Sequence, residues 1–254
     1  MNQQTAFITG ATSGFGQAIA HRLASDGFNL IICGRRSDRL EKYSDDIMKQ
    51  YPVKIYSLTF DVKKKSEVTN SIASLPAEFT KIDVLVNNAG GAHGFDLIQD
   101  ANTDDWDEML DTNVKGLLYV TKAVLPLMNE SKNPYIFNIG STAAKYVYEK
   151  GNIYCATKFA VDALTQAMRI DLLKKKIRVT AIHPGMAETE FSIVRFKGDA
   201  EKAKTVYKGL QPLTANDIAD VLSYCLHTPV HVNINELVIT PSAQANPFYI
   251  NRML

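Results

Sequence analysis

The sequence predicts a single α/β domain over residues 1–254, built on a doubly wound parallel sheet of about seven strands with helices on both faces. Short apolar runs alternate with amphipathic helical segments along the chain, and no linker or internal repeat divides it. Such alternation is typical of a parallel sheet whose two faces are covered by helices. Glycine-rich or polar segments follow the apolar runs, and this kind of sheet binds ligands at the carboxyl ends of its strands.

The composition narrows the class of partner. The chain carries 28 basic and 27 acidic residues, a net charge of +1, which gives no electrostatic reason to expect nucleic acid or an anionic membrane. We therefore expect a small-molecule substrate. The N-terminus lacks a targeting segment and no apolar run reaches the ~18 residues of a membrane span, which predicts a cytoplasmic protein. The three cysteines have no metal-ligand spacing, so we expect no metal.

The first predicted unit is a strand, a glycine turn and a helix. Thr5–Thr9 is apolar, and the turn Gly10-x3-Gly14-x-Gly16 leads into apolar residues at helical spacing. A turn of this kind lets backbone N–H groups approach a phosphate at a helix N-terminus. Its spacing differs from the usual Gly-x-Gly-x-x-Gly dinucleotide fingerprint, so a tight turn without a ligand is the alternative.

The second predicted strand, residues 30–33, ends at Gly34-Arg35-Arg36. An NAD-binding fold usually places an acid here to bind the ribose 2′-hydroxyl. Two arginines before a helix capped by Ser37 oppose the helix dipole unless an anion compensates them, and a 2′-phosphate would do so. The pattern predicts NADP(H) rather than NAD(H), with a solvated basic turn as the alternative.

The next two predicted strands also end in polar or small residues. Residues 55–60 run into Asp61-Val62, where an acid can face a cofactor or cap a helix. Residues 82–86 are followed by Asn87-Asn88-Ala89-Gly90, whose small residues permit close approach of the backbone to a ligand. Residues 104–128 show a helical pattern that Asn113 interrupts, and a polar amide there is more often a satisfied packing residue than a catalytic one.

Proton-transfer groups gather after the fifth predicted strand, residues 135–139. Ser141 follows the strand, and Tyr154 and Lys158 lie one turn apart on the same face of an amphipathic helix. We expect the lysine ammonium to lower the phenol pKa from its usual value of about 10, which makes Tyr154 an acid/base, while Ser141 holds a substrate oxygen. Tyr146 and Lys150 have the same spacing but lie in a predicted loop. These groups predict carbonyl/alcohol interconversion.

The rest of the chain completes the alternation. A sixth strand, residues 177–182, stops at His183-Pro184-Gly185. Residues 186–199 are predicted to be irregular and belong to a substrate loop at 186–210. A helix over 216–226, a last strand at 237–239 and a polar C-terminal tail at 242–254 follow.

Together these motifs resemble the short-chain dehydrogenase/reductase family, whose fold is of the Rossmann type. The resemblance covers nearly all of the chain and rests on Thr9-Gly10-x3-Gly14-x-Gly16, Asn87-Asn88-Ala89-Gly90, Ser141, Tyr154-x3-Lys158 and Pro184-Gly185-x3-Thr189. It implies a catalytic tetrad of Asn113, Ser141, Tyr154 and Lys158. In that tetrad Tyr154 is the acid/base, Ser141 contacts the carbonyl oxygen, Lys158 tunes the tyrosine and binds ribose, and Asn113 holds a relay water.

The same resemblance implies a set of cofactor contacts along the carboxyl edge of the sheet. With the two arginines, the predicted NADP(H) contacts are Gly10, Ser13, Phe15, Gly16, Arg35, Arg36, Asp61, Val62, Asn87, Ala89, Gly90, Tyr154, Lys158, Pro184, Gly185 and Thr189. The resemblance also implies that the protein is a homotetramer.

A narrower resemblance is to the NADP-dependent 3-hydroxy acid dehydrogenases, which oxidise serine and L-allo-threonine and reduce malonic semialdehyde. It rests on Gly34-Arg35-Arg36, residues 139–143, residues 189–199 and residues 231–235. It implies an NADP(H)-dependent oxidoreductase of small 3-hydroxy acids, including 3-hydroxypropionate, whose substrate contacts are Ser141, Tyr154 and Arg195. Arg195 would bind the substrate carboxylate, with Lys197 as a second candidate. Glu188 departs from the subgroup, in which small residues are usual at this place, and a carboxylate near the pocket would oppose an acidic substrate.

Two other functions stay open at this level. One is a general aldehyde/ketone or 3-oxoacyl reductase of the same family, which would use the same tetrad without an acid-binding residue. The other is an NADPH-sensing binding protein, which would need the glycine turn but not Asn113, Ser141, Tyr154 and Lys158 together. A panel of carbonyl substrates separates the three.

Overall fold

The structure, a computed structural model, describes residues 3–129 and 131–253. Its strands are β1 Thr5–Thr9, β2 Asn29–Gly34, β3 Ile55–Thr59, β4 Val84–Asn87, β5 Tyr135–Ile139, β6 Arg178–Pro184 and β7 Glu236–Ile239. All neighbouring strands pair in parallel, and they form one seven-stranded sheet in the order β3-β2-β1-β4-β5-β6-β7. The predicted fold class is thereby confirmed.

Helices cover both faces of this sheet. They are α1 Gly14–Ser25, α2 Ser37–Gln50, α3 Lys65–Ala73, α4 Thr103–Leu110, α5 Leu117–Val124, α6 Asn152–Asp171, α7 Phe191–Arg195, α8 Ala200–Thr205 and α9 Ala215–Leu226. Apolar residues of α1, α2 and α9 pack on one face, and those of α3, α5 and α6 pack on the other. Within β1, Ala6 and Ile8 contact the first layer and Phe7 the second, because side chains alternate across a strand.

The strand order places a crevice at the centre of the carboxyl edge. The chain runs outward from β1 to β2 and β3 and then returns to β4 on the other side of β1. Ligands of such sheets bind where the strand order reverses in this way. The Thr9 side chain joins the two strand ends, since its Oγ1 accepts hydrogen bonds from the backbone N–H groups of Asn88 (2.9 Å) and Ala89 (2.8 Å).

Two predictions about helices were wrong in part. The pattern over residues 104–128 is not one α-helix, because a π-helical turn at Asp111–Gly116 separates α4 from α5. Asn113 lies in this turn, and its side chain bonds the backbone of Gly91 across the crevice, a tertiary contact that accompanies the widened turn. Ser37 is the first residue of α2 and not its cap. Arg36 takes the cap position with an extended backbone and makes no side-chain capping bond.

The segment after β6 is more ordered than predicted. Residues 186–199 contain α7, whose Phe191 packs beside Tyr154. The sequence pattern did not show this tertiary contact, which holds α7 against the rest of the protein. The C-terminal tail lies against the substrate loop, where the Met253 N–H donates to the Gly209 carbonyl at 2.8 Å. Leu254, the end of the predicted tail, is outside the described residues, as are Met1 and Asn2 at the start of the predicted domain. Within the described ranges we find no helix whose length and apolar content would carry it across a membrane.

Candidate active site

A cavity of about 350 Å³ lies at the carboxyl edge of the sheet, over the ends of β1, β4 and β5. Most of the residues that the sequence singled out line it together: Gly10, Ser13, Phe15, Arg35, Arg36, Asp61, Val62, Ala89, Gly90, Ser141, Tyr154, Lys158, Pro184, Gly185 and Thr189. Four predicted residues do not line it, namely Gly16, Asn87, Asn113 and Arg195. Residues separated by as much as 179 positions in the chain therefore meet at one site.

The glycine turn is shaped by close backbone packing. Gly10 has φ +67° and Gly14 has φ +55°, both in the left-handed region that favours glycine. Gly16 lies outside the cavity because its Cα faces the Gly10 carbonyl, where any side chain would collide. Asn88, which the sequence reasoning did not assign, holds the turn from below by donating to the carbonyls of Thr9 (2.8 Å) and Gly10 (3.2 Å). The N-terminus of α1 thus faces the cavity at the place predicted for a phosphate.

Arg36 lines the basic end of the cavity, and Arg39 is joined to it through Glu190. The Arg36 guanidinium donates to Thr12 Oγ1 (2.8 Å) and Ser13 Oγ (3.1 Å), and it pairs with Glu190 at 3.1 Å. Arg39, one helical turn further along α2, pairs with the other Glu190 oxygen at 2.9 Å. The sequence reasoning missed Arg39, although its i,i+3 spacing from Arg36 was a usable signal.

Arg35 is the more exposed of the two predicted arginines. Its side chain is 65% exposed and lies 3.7 Å from Glu108. The residues present fit a phosphorylated dinucleotide on two counts. The glycine turn offers a helix N-terminus, and Arg36 with Arg39 already holds one anionic group, the Glu190 carboxylate.

Ser141, Tyr154 and Lys158 come together at the other end of the cavity. Ser141 follows β5, and its Oγ accepts the Ala143 N–H at 3.1 Å. Tyr154 and Lys158 lie on α6, and the Lys158 ammonium is 6.0 Å from the centroid of the Tyr154 ring. Lys158 Nζ donates to the Ile139 carbonyl at 2.9 Å, so it is anchored to the end of β5. Tyr146, in the rival pair, lies in a loop and is partly exposed.

The predicted direction of the Tyr154 pKa shift was wrong. Burial raises the pKa of the phenol above its usual value, the neighbouring Tyr148 adds to this, and Ser141 and Arg195 only partly oppose it. Burial also lowers the pKa of Lys158, to about 8. The reason is that Tyr154 and Lys158 are both buried, and desolvation disfavours the charged form of each. Tyr154 is therefore a protonated phenol at neutral pH.

Two predicted asparagines turn their side chains into the protein. Asn113 uses both amide hydrogens, on the Gly91 carbonyl (2.9 Å) and Thr157 Oγ1 (3.0 Å), and its Oδ1 accepts the Gly91 N–H at 2.9 Å. The Asn87 amide nitrogen donates to Thr121 and Asn138, beneath the cavity. Both side chains brace the cavity wall. The contacts of Asn87 with the cofactor and of Asn113 with a relay water stay predictions, and the buried Asn87 Oδ1 has no hydrogen-bond partner among the described residues.

Arg195, on α7, lies against the ring of Tyr154. Its guanidinium carbon is 5.4 Å from that ring's centroid, 4.6 Å from that of Phe95 and 5.6 Å from that of Tyr148, whose hydroxyl accepts a hydrogen bond from Arg195 at 3.0 Å. The buried Arg195 Nε has no hydrogen-bond partner among the described residues. Phe95 and Tyr148 were missed, and no spacing in the sequence indicated that loops so far apart would enclose one arginine.

Two charged residues of the substrate loop, Glu188 and Lys197, were considered from the sequence as possible neighbours of the substrate. Glu188 is exposed and does not line the cavity, so its carboxylate does not oppose an acidic substrate. Its neighbour Glu190 lines the cavity and is paired with arginines. Lys197 pairs with Asp105 at 2.9 Å, which leaves Arg195 as the better placed cation.

Comparison with known proteins agrees with this geometry. Residues 4–199 match the short chain dehydrogenase family. An NADP-dependent 3-hydroxy acid dehydrogenase from Shigella flexneri is 43% identical over 239 residues, which cover 94% of this chain and 95% of the relative. A sulfoacetaldehyde reductase from Chromohalobacter salexigens is 43% identical over 240 residues, covering 94% of each protein.

A solved structure is also similar, the closed form of serine dehydrogenase complexed with NADP⁺. It has 42% sequence identity and a TM-score of 0.91, and the match covers 96% of this chain and 97% of that one. The resemblance inferred from the motifs is confirmed by these matches. The chain belongs to the short-chain dehydrogenase family and is an oxidoreductase of the kind that acts on CH–OH groups.

Proposed function

We propose that this protein is an NADP(H)-dependent oxidoreductase that interconverts the hydroxyl and carbonyl of a small 3-hydroxy acid, such as serine, L-allo-threonine or 3-hydroxypropionate. The observation that carries the proposal is the position of Arg195. Its guanidinium lies beside the Tyr154 ring, and one buried N–H of Arg195 has no partner among the residues that the structure describes. A charge in that place can hold the acid group of a substrate while the phenol reaches the substrate's oxygen.

The cofactor assignment is supported by the basic end of the cavity. Arg36 and Arg39 converge on one carboxylate, and this is where a Rossmann-type sheet places the 2′ position of the ribose. NAD-specific sites carry an acid there, whereas this chain has Gly34-Arg35-Arg36. The relatives that are named NADP-dependent or were solved with NADP⁺ add support.

The residues of the chain divide the proton chemistry between them. NADPH supplies a hydride when bound, and NADP⁺ accepts one in the reverse direction. Ser141 holds the carbonyl oxygen by hydrogen bonding, and the Tyr154 hydroxyl gives that oxygen a proton as the carbonyl is reduced. Because burial raises its pKa, Tyr154 is held in the protonated form that reduction requires. Lys158 donates to the Ile139 carbonyl, and this hydrogen bond holds its ammonium beside the end of β5.

Arg195 shares a small pocket with Asp96 and Asp105, and the Asp105 carboxylate is paired with Lys197. The guanidinium is stacked among Phe95, Tyr148 and Tyr154, and its buried Nε–H has no hydrogen-bond partner in the described part of the chain. A carboxylate or a sulfonate would satisfy that donor, so malonic semialdehyde and sulfoacetaldehyde belong to one class of substrate for this site.

The test compares acidic and uncharged aldehydes. Arg195→Met keeps the length and packing of the side chain but removes its charge. A hydrogen bond to a charged group is worth about 1.5 to 3 kcal/mol, so kcat/KM for malonic semialdehyde should fall about tenfold to a hundredfold, and kcat/KM for propanal should change little. Lys197→Met, which removes a charge already paired with Asp105, is the matched control. If wild type prefers propanal and Arg195→Met changes neither substrate, the general carbonyl-reductase function replaces this one.

We also infer that the protein assembles as a homotetramer. Apolar side chains of α5 and α6 remain partly exposed, including Leu118, Phe159 and Ile170, and Leu173 follows α6. Long helices with such faces suit the isologous interfaces of symmetric oligomers. Light scattering at micromolar concentration should report four subunits, and a stable monomer would contradict the inference.

A further inference from the structure

His183 is a buried histidine directly behind Ser141. It lies near the end of β6, next to β5, and is fully buried. Its Nδ1 is 3.3 Å from the Ser141 backbone nitrogen and 3.2 Å from the Ser141 carbonyl oxygen. The imidazole can therefore accept the Ser141 N–H when Nδ1 is unprotonated, or donate to the Ser141 carbonyl when Nδ1 carries a proton.

The other ring nitrogen faces carboxylates. His183 Nε2 is 3.4 Å from an Asp162 oxygen and 3.8 Å from a Glu236 oxygen. Lys145 Nζ lies between the same two carboxylates, 3.1 Å from Asp162 and 2.6 Å from Glu236. A metal ion on Asp162, His183 and Glu236 would have to displace this ammonium, so the cluster is better described as a proton-holding network with Lys145 as its cation.

These neighbours determine which ring nitrogen carries the proton. Nε2 makes no hydrogen bond among the described residues, but the acidic groups nearest to it are two carboxylates, whose negative charge favours a proton on that nitrogen. Nδ1 is then left with a lone pair, which accepts the Ser141 N–H. The ring packs directly against Gly140, where any side chain would collide with it.

We propose that His183 is a positioning residue for the reaction, which in its neutral Nε2–H form accepts the Ser141 N–H and so holds the serine hydroxyl against Tyr154. Protonation of the ring converts Nδ1 from acceptor to donor. The Ser141 N–H then loses its acceptor, and the segment that joins β5 to the catalytic hydroxyl must shift. The inference rests on the proposed reductase function, because it assigns His183 a part in that reaction.

The charges around the ring agree with a neutral imidazole. Burial lowers the pKa of His183 below its ordinary 6.5, and the Lys145 ammonium lowers it further, against the opposing effect of Asp162 and Glu236. The groups that face the ring come from α6, from β7 and from the turn after Ser141, and they are these three residues together with the Ser141 backbone. At neutral pH the ring is thus the acceptor that Ser141 needs, and the acceptor is lost only as the pH falls below the ordinary histidine range.

The experiment measures single-turnover reduction of propanal by NADPH as a function of pH, with an uncharged substrate so that no substrate group titrates. The wild-type rate should fall at acidic pH. His183→Asn keeps an amide oxygen near the place of Nδ1 but takes up no proton, so it should retain most of the rate at neutral pH and lose the acidic limb. His183→Leu leaves the Ser141 N–H unpaired and should slow the step about tenfold, with unchanged NADPH affinity.

Thr180→Val is the matched control for lost stability. Thr180 is on the same strand, fully buried, and bonds Tyr135 and Ile234 without touching Ser141. It should lower the melting temperature while leaving the rate unchanged. The inference is overturned if His183→Leu keeps the wild-type rate, if His183→Asn is as slow as His183→Leu, or if the acidic limb survives in His183→Asn.

A second readout does not depend on activity. Nitrogen-15 NMR of protein labelled at histidine should show the Nε2–H tautomer of His183 at neutral pH, and an Nδ1–H tautomer would overturn the inference. If the wild type reduces no aldehyde while the tautomer is as expected, the proposed function fails and not the geometry around His183.

Discussion

Glu190→Gln should tighten NADPH binding, because Glu190 occupies the basic site that the cofactor's 2′-phosphate would use. In the structure its two oxygens pair with Arg36 at 3.1 Å and Arg39 at 2.9 Å. Burial raises the pKa of the Glu190 carboxyl, but the two arginines outweigh that effect and hold the pKa below its usual range. Glu190 is therefore charged at neutral pH, and a phosphate must compete with it or share the arginines at the expense of repulsion.

The size of the effect follows from the exposure of the three side chains, each of which is roughly two-fifths to one-half accessible. Exposed ion pairs are worth about 0.2–1 kcal/mol each, so the two pairs together oppose the phosphate by about 1 kcal/mol. NADPH affinity should therefore rise about fivefold in Glu190→Gln. NADH has no 2′-phosphate, so its affinity should be nearly unchanged, and the gain for NADPH should shrink as salt screens the charges.

The assay is fluorescence titration of NADPH and NADH at low and high salt. Glu188→Gln is the matched control, because it removes the same charge two residues away on an exposed side chain that does not line the cavity. Weaker NADPH binding in Glu190→Gln would refute the reasoning, as would an equal gain for NADH or an equal gain in Glu188→Gln. Weaker binding would mean that Glu190 supports the cofactor site, an equal gain for NADH would mean that Glu190 does not act on the 2′-phosphate, and an equal gain in Glu188→Gln would mean that only the net charge matters.

Two further predictions concern the site residues. Tyr154→Phe should reduce turnover about 10²- to 10⁴-fold with NADPH binding nearly intact, since it removes the proton donor and little volume, whereas Tyr146→Phe should retain most activity; steady-state kinetics on one aldehyde with both variants decides between the two tyrosine–lysine pairs. Arg36→Ala should weaken NADPH binding at least about tenfold and leave NADH nearly unaffected, because Arg36 reaches Thr12, Ser13 and Glu190, while the exposed Arg35 should matter less when changed to alanine. Equal losses in the two arginine variants, measured by the same titration, would contradict this ranking.

The sequence by itself determined the parts of the molecule that depend on local pattern. Alternating apolar runs and helical segments predicted the parallel sheet, because a buried strand and an amphipathic helix each leave a periodic signature within one segment. The Gly10–Gly16 turn and the Tyr154–Lys158 spacing are also local patterns, each contained within one segment of the chain. Their positions at strand ends were enough to place them at a common edge of the sheet.

Tertiary structure decided the environment of each group. The pKa of Tyr154 rises because burial outweighs the nearby charges, and no spacing in the sequence measures burial. The pairing of Glu190 with Arg36 joins residues 154 positions apart. Arg195 meets the Tyr148 hydroxyl only because α7 folds back over the end of α6.

The same distinction applies to the two predicted asparagines. Asn87 and Asn113 were assigned to ligand contacts by their motifs, and in the fold the amide nitrogen of each donates to groups from distant segments of the chain. A motif records which residue type stands at a position, whereas the direction of its side chain depends on partners brought close by folding. Local periodicity thus fixes the sheet and the order of its motifs, and the packing between distant segments fixes which side chains face the ligand and in which protonation state.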